Sequence, residues 1–256
     1  MMSQEGTILA IRCLAAWACF WQSVELLALR REYSEIWIWP VLQTDMKDFP
    51  RWSQRLFQTL FEPHLFTAIL AARLIASVAL PLVNWPWVVL FLLLSTALIA
   101  VRWRGSFNGG SDFMTVVVLS ALTVAAFFED RTIRLGCLWY IAIQTTLSYF
   151  IAGTVKIGKP SWRSGAALDH IIRNSIYGAP SWWRKLSPKL VSIASSLVLS
   201  FELLFPVALL SPSLCLIFLA AAAQFHLMNF WFLGLNRFVW AWLAAYPAVV
   251  YCSLRL

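Results

Sequence analysis

Charge is scarce in this sequence. Of its 256 residues, 12% are Asp, Glu, Lys or Arg, about half the roughly 25% of a soluble domain. With 61% hydrophobic residues and a mean hydropathy of +0.72, that scarcity excludes a soluble globular enzyme and a disordered chain. Cysteine is sparse too: Cys13, Cys19, Cys137, Cys215 and Cys252 lie scattered in apolar runs, with no CxxC pair. A disulfide scaffold, a redox centre and a zinc site are therefore not expected, nor is any other metal, and each cysteine reads as a small buried hydrophobe. Basic residues outnumber acidic ones by 20 to 12, yet they form no run with stacking aromatics on a polar face. That argues against a nucleic-acid partner. A dinucleotide fingerprint, a P-loop and a haem-attachment motif are all lacking. So is the internal repeat of an inverted-repeat transporter.

What is there is a succession of apolar runs. A bilayer span needs roughly 20 mostly apolar residues, and about eight candidates lie at 8–29, 63–82, 86–101, 113–128, 135–155, 190–210, 214–233 and 238–254. The first run carries Glu5 nearby and is longer than a signal peptide's core, so it is expected to be a retained span. The expected fold is all-α: one polytopic transmembrane helical bundle over residues 1–256, with interfacial helices in its two long connections. In 30–62, Phe49, Trp52, Leu56 and Phe57 keep helical spacing around Arg51 and Arg55, the pattern of an amphipathic helix lying at the membrane surface. In 156–189, a helix is expected over about 165–176, between a Gly/Pro/Ser turn and Gly178-Ala179-Pro180. Trp37, Trp39, Trp85, Trp87, Trp182 and Trp183 stand at span edges, as interfacial belts require. With eight spans, fifteen Lys and Arg fall on one side and three on the other. The positive-inside rule then puts both termini away from the cytoplasm, Lys156 near its cytoplasmic face, and lipid headgroups among the partners.

Ionisable groups at membrane depth are costly and usually functional. Here they are Arg12, Glu25, Arg73, Lys156, Glu202 and His226, with Asn108, Asp112, Gln144, Gln224 and Asn229 adding polar groups. Lys156 ends one span, Glu202 lies within the next, and His226 within the one after. Successive helices tend to be neighbours, so the three can line one cavity. Each also has a plainer reading. Lys156 can snorkel to headgroups, Glu202 can bond Ser195, Ser196 or Arg73, and His226 can bond a neighbouring helix. An amine or carboxyl held against an apolar wall loses hydration, which favours its neutral form. Such a Lys can act as a general base and such a Glu can carry a proton.

Three motifs sharpen this. They are Tyr149-Phe150-Ile151-Ala152-Gly153 followed by Lys156, Trp162 and Gly165; Phe225-His226-Leu227-Met228-Asn229; and the turn Ser106-Phe107-Asn108-Gly109-Gly110-Ser111. Along the chain they fall in the family's order and cover about 102–251, and the region resembles the HTTM (horizontally transferred transmembrane) family: the membrane core of vitamin K-dependent gamma-carboxylases and its bacterial relatives. In the carboxylases a deprotonated Lys acts as base on vitamin K hydroquinone, oxygenation gives the epoxide, and a substrate Glu is carboxylated. The resemblance implies Lys156, His226 and Glu202 as catalytic residues. It implies Asn108, Tyr149, Trp162, Gly165 and Asn229 as residues lining a pocket for vitamin K hydroquinone, menaquinol or another quinone. It also implies a bacterial plasma membrane, and a small peptide substrate or soluble accessory subunit as partner. There are departures. Gly110 stands where the carboxylases have a His tied to carboxylation, and Val155 precedes Lys156 where they have a second Lys. One more residue separates Lys156 from Trp162 than in the animal enzymes, and 256 residues leave no room for their luminal domain. The carboxylases also work on the lumenal side, opposite to the charge count. Two readings follow: a membrane enzyme with a Lys base acting on a quinol or other lipid-soluble substrate, or an accessory membrane protein for maturation or export of a secreted peptide. A transport protein without chemistry is a third.

Overall fold

The computed structural model describes residues 3–30, 49–103, 109–175 and 177–255, which form helices and turns without a strand. The long helices are α1 (Gln4–Ala28), α3 (Pro63–Ala79), α4 (Pro86–Trp103), α5 (Gly109–Phe127), α6 (Arg131–Ile157), α10 (Pro188–Leu204), α11 (Pro212–Leu233) and α12 (Asn236–Ser253). Between them lie short helices: α2 (Arg51–Leu60), α7 (Pro160–Arg163), α8 (Ala166–Arg173), α9 (Ser181–Arg184) and a 3₁₀ turn, Phe205–Leu209, that prolongs α10. The starts are written in the sequence. Glu62, Ser187 and Ser211 cap the first-turn amides of α3, α10 and α11, each followed by a proline at the first helical position. Asp130 caps α6 by accepting from Thr132 and Ile133.

The eight long helices coincide with the eight runs. Six are long and apolar enough to cross a membrane, and α2 with α3 makes a further pair, bent by 71°. Helix α12 is not among the six, and its position gives the reason. It is buried along Ala241, Ala244, Ala245, Ala248 and Val249, packed against α1, α6, α11 and α5. A helix surrounded by protein needs small residues for close approach more than it needs apolar ones for lipid.

Contacts at the helix ends define two faces. Where α1 and α6 begin, Gln4 donates to the Arg131 carbonyl and Glu5 pairs with Arg134. Where α1 ends and α12 begins, Glu25 accepts from Asn236 and Arg237. The second face carries α2, α7, α8 and α9 and the basic residues Arg51, Arg55, Lys159, Arg163, Arg173, Arg184, Lys185 and Lys189. In the first half of the bundle a polar cluster is buried between helices. Arg73 donates to Gln22 Oε1 (2.8 Å), Ser95 Oγ (2.7 Å) and the Leu92 carbonyl (2.8 Å), and Gln22 donates to Asp112 Oδ1 (2.7 Å). Arg73 therefore ties α1, α3 and α4 together and is no partner of Glu202.

Candidate functional site

The second half of the bundle is built around a cavity of about 520 Å³ between α6, α10, α11 and α12, closed towards the basic face by residues of α7, α8 and α9. Its size is that of a small-molecule site, and its walls are almost wholly apolar. Lys156 sits at the end of α6. Gly153 explains how it reaches its partner: a Cβ there would lie 2.9 Å from the Leu203 amide nitrogen and 3.0 Å from Glu202 Cβ. Glycine lets α6 approach the α10 backbone, and one turn later Lys156 Nζ forms an ion pair with Glu202 Oε1. The Glu202 side chain is 2% exposed and that of Lys156 22%, so this Lys is turned inward rather than out to headgroups. Trp162 lies 5.0 Å from Nζ by its ring centroid and Phe225 5.9 Å, within cation–π range.

Deeper in, Tyr149 OH is 2.6 Å from His226 Nε2 and 3.1 Å from Tyr246 OH. The Tyr149 ring stacks on Phe205 (4.1 Å) and packs on Trp242 (4.4 Å), and His226 stacks on Trp242 (5.0 Å). Three buried polar atoms around this space have no hydrogen-bond partner among the described residues: Glu202 Oε2, His226 Nδ1 and Trp242 Nε1. Buried polar groups are normally paired, and all three belong to residues that line one cavity.

Six of the residues expected from the sequence come together here: Lys156, Glu202, His226, Tyr149, Trp162 and Asn229 all line the cavity. Gly165 does not. It adopts φ +82°, and a Cβ there would lie 2.8 Å from Ser192 N and Cα. It holds the cover against α10, as does Ser195, which donates to the Trp162 carbonyl at 2.5 Å. Ser195 is thereby engaged elsewhere than at Glu202. Asn108 lies outside the described residues, as do Trp37 and Trp39. Gly110 borders the site from behind: a Cβ there would meet the Phe238 ring at 3.0 Å, and Phe238 stacks on His226 at 6.0 Å. The residues missed by sequence reading are Phe238, Trp242 and Tyr246. Their spacing of four along α12 was the available signal, because it aligns them on one helix face. The cover has its own latch, with Asp169 accepting from Arg173 Nε (2.7 Å) and Trp183 Nε1 (2.9 Å). The hydrogen bond from Arg173 holds the Asp169 carboxyl below the usual range, with help from Trp183. Among the described residues, no three His, Cys, Asp or Glu side chains group as metal ligands.

A helical bundle with six membrane-length apolar helices, and a cavity set between its last four long helices, is the architecture of an integral membrane protein. The chain belongs to the HTTM family: the HTTM domain matches residues 118–254, a stretch that contains Lys156, Glu202, His226 and every other residue lining the cavity. No curated protein and no solved structure matches the chain.

Proposed function

We propose that this cavity is the site of a membrane enzyme in which Lys156 acts as base on a lipid-soluble substrate bearing a weakly acidic hydroxyl, with a quinol as the class that fits. The observation carrying this reading is the buried Lys156–Glu202 pair at an almost wholly apolar cavity, beside three unpartnered polar atoms. The likeness to the gamma-carboxylase core at Tyr149–Gly153, Lys156 and Trp162 points the same way. A flat ring suits the aromatic walls of Tyr149, Trp162, Phe225 and Trp242. When bound, a quinol supplies the acidic hydroxyl and the redox chemistry.

The chain's own residues do the rest. Lys156 Nζ is paired with Glu202 Oε1. To act as base, the amine passes a proton to this carboxylate and takes one from the substrate hydroxyl. With Tyr149 donating to Nε2, the neutral His226 ring carries its hydrogen on Nδ1. Nδ1–H and Trp242 Nε1–H then offer two donors to a ligand oxygen. The aromatic walls and the α7–α9 cover limit the access of water to Glu202 and His226, which are buried. Phe238 occupies the flank of Gly110, where the carboxylases carry a His. This favours chemistry that stops short of carboxylation, and keeps open the second reading, an accessory protein for maturation or export of a secreted peptide. In either case the excess of basic residues on the face carrying α7–α9 supports a site in the cytoplasmic half of the membrane, and the proposed membrane is a bacterial plasma membrane.

Mass spectrometry of the lipid extract from the purified protein tests this. A quinone should accompany the wild-type chain and be lost from Lys156→Met/Glu202→Gln, which removes both charges together and spares the fold. A wild-type extract without quinone, or undiminished retention by the variant, would sink the proposal.

A further inference from the structure

A second cavity, of about 480 Å³, opens on the opposite face of the bundle, where α1 and α6 begin and α5 ends. Leu9, Val89 and Leu122 contribute apolar wall, and four charged residues also line it: Glu5, Arg12, Glu129 and Arg134. Arg134 and Glu5 neutralise each other at 2.7 Å. The other two are uncompensated. Arg12, about 12 Å below the start of α1 by helical rise, donates to the carbonyls of Leu80 and Val83 and to Asn84 Oδ1 (3.2 Å). These are all neutral oxygens, and no carboxylate among the described residues pairs with it. Glu129 is exposed and has no hydrogen-bond or ion-pair partner among the described residues. Nearby, Trp85 and Trp87 are 65% and 62% exposed, and Trp87 meets Phe127 edge-on at 5.2 Å. Exposed tryptophans of this kind mark the headgroup level of a bilayer.

A lone cation and a lone anion thus share one cavity at headgroup level, with an apolar wall beside them. We propose that this cavity binds the zwitterionic headgroup of a phosphoethanolamine lipid. Its phosphate lies against Arg12, its ammonium against Glu129, and its acyl chains along the Leu9, Val89 and Leu122 wall. A purely anionic headgroup leaves Glu129 unpaired and repelled. A choline headgroup has no N–H to donate to it. Free phosphate engages Arg12 alone and leaves the apolar wall empty.

Native mass spectrometry of the full chain, titrated with phosphatidylethanolamine, phosphatidylglycerol and phosphatidylcholine, tests the assignment. We expect phosphatidylethanolamine to be retained up to about fivefold better than the other two, the range of a partly exposed ion pair. Glu129→Gln should bring its retention down to that of phosphatidylglycerol. Arg12→Gln should weaken both. Equal retention of the three lipids by the wild type, or a preference untouched by Glu129→Gln, overturns the proposal. So does displacement of the lipid by soluble phosphoethanolamine at equal concentration, which would make the site one for a free zwitterion. Arg12 also fastens the α3–α4 turn, so its variant can fail to fold. Glu129→Gln, at an exposed and unpartnered position, then decides alone.

Discussion

The two halves of the bundle bury polar clusters that differ in one respect. In the first, Arg73 is fully buried, and its Nη atoms end on Gln22, Ser95 and the Leu92 carbonyl, while Gln22 continues to Asp112. Arg73 Nε has no hydrogen-bond partner among the described residues, but the cluster borders neither cavity described above. Its hydrogen bonds join helices and leave no room for a ligand. In the second half, Lys156, Glu202, Tyr149 and His226 are just as deep in sequence terms, yet they face an apolar cavity with Oε2, Nδ1 and Trp242 Nε1 unpartnered. An intramembrane charge alone therefore does not mark a site. What distinguishes the proposed site is unpaired polar atoms facing space that a molecule can fill.

The sharpest way to break this contrast is to remove a charge from each cluster. Arg73→Leu strips donors from Gln22 Oε1, Ser95 and the Leu92 carbonyl in a place water cannot reach. It should destabilise the bundle by about 3 kcal/mol or more, read as a loss of folded protein in thermal or detergent unfolding. Lys156→Met/Glu202→Gln should leave the unfolding midpoint within a few degrees of wild type while bound quinone disappears. If both variants unfold alike, the second cluster is as structural as the first.

Much of this was legible in the sequence, and the limits are physical. Apolar runs gave the eight long helices, because lipid exposure acts locally along each run. The spacing of Phe49, Trp52, Leu56 and Phe57 gave α2. That Lys156, Glu202 and His226 line one cavity was readable because charge is scarce and successive helices are neighbours. Their pairing was not: Ser195, Ser196 and Arg73 were candidate partners of Glu202 until Gly153 set the distance between α6 and α10. Phe238, Trp242 and Tyr246 were hidden by the burial of α12, where an aromatic stripe looks the same whether it packs against protein or lines a cavity.

Gly165 offers a smaller test of which residues are site and which are scaffold. Its positive φ and the contact with the Ser192 backbone predict that Gly165→Ala costs about 1–3 kcal/mol locally and lifts the cover from α10. Trypsin should then cut faster at Arg163, Arg173, Arg184 and Lys185, with the transmembrane helices still protected. Unchanged cleavage would return Gly165 to the ligand-lining role the resemblance implies. Smaller again is Trp242→Phe, which keeps a ring against Tyr149 and His226 but removes an unpartnered N–H. Stability should hold or rise by up to about 1 kcal/mol, and quinone retention should fall by roughly fivefold. A variant that loses stability instead would mean the N–H is satisfied within the protein.

The smallest expected effect is in the latch. Arg173, and to a lesser extent Trp183, hold the Asp169 carboxyl below the usual range. A carboxyl whose pKa is lower in the folded than in the open state adds stability above its ordinary pKa, about 3.9. That contribution is lost as pH falls from there through the lowered value. The cover should therefore grip equally at pH 7 and pH 5 and loosen below about pH 4. The effect is modest, because the Arg173–Asp169 pair is partly exposed, 41% and 29%, and such pairs contribute little. Hydrogen exchange across α8 and α9 at pH 5 and pH 3, corrected for the intrinsic rate, reads it. Asp169→Asn keeps an acceptor for the Trp183 N–H while removing the charge, so its corrected exchange should be faster at pH 5 and no longer change on acidification. If wild-type exchange is equally flat, the cover is held by its packing on α10 and Phe232, and the second cluster's enclosure is as insensitive to charge as the apolar walls beneath it.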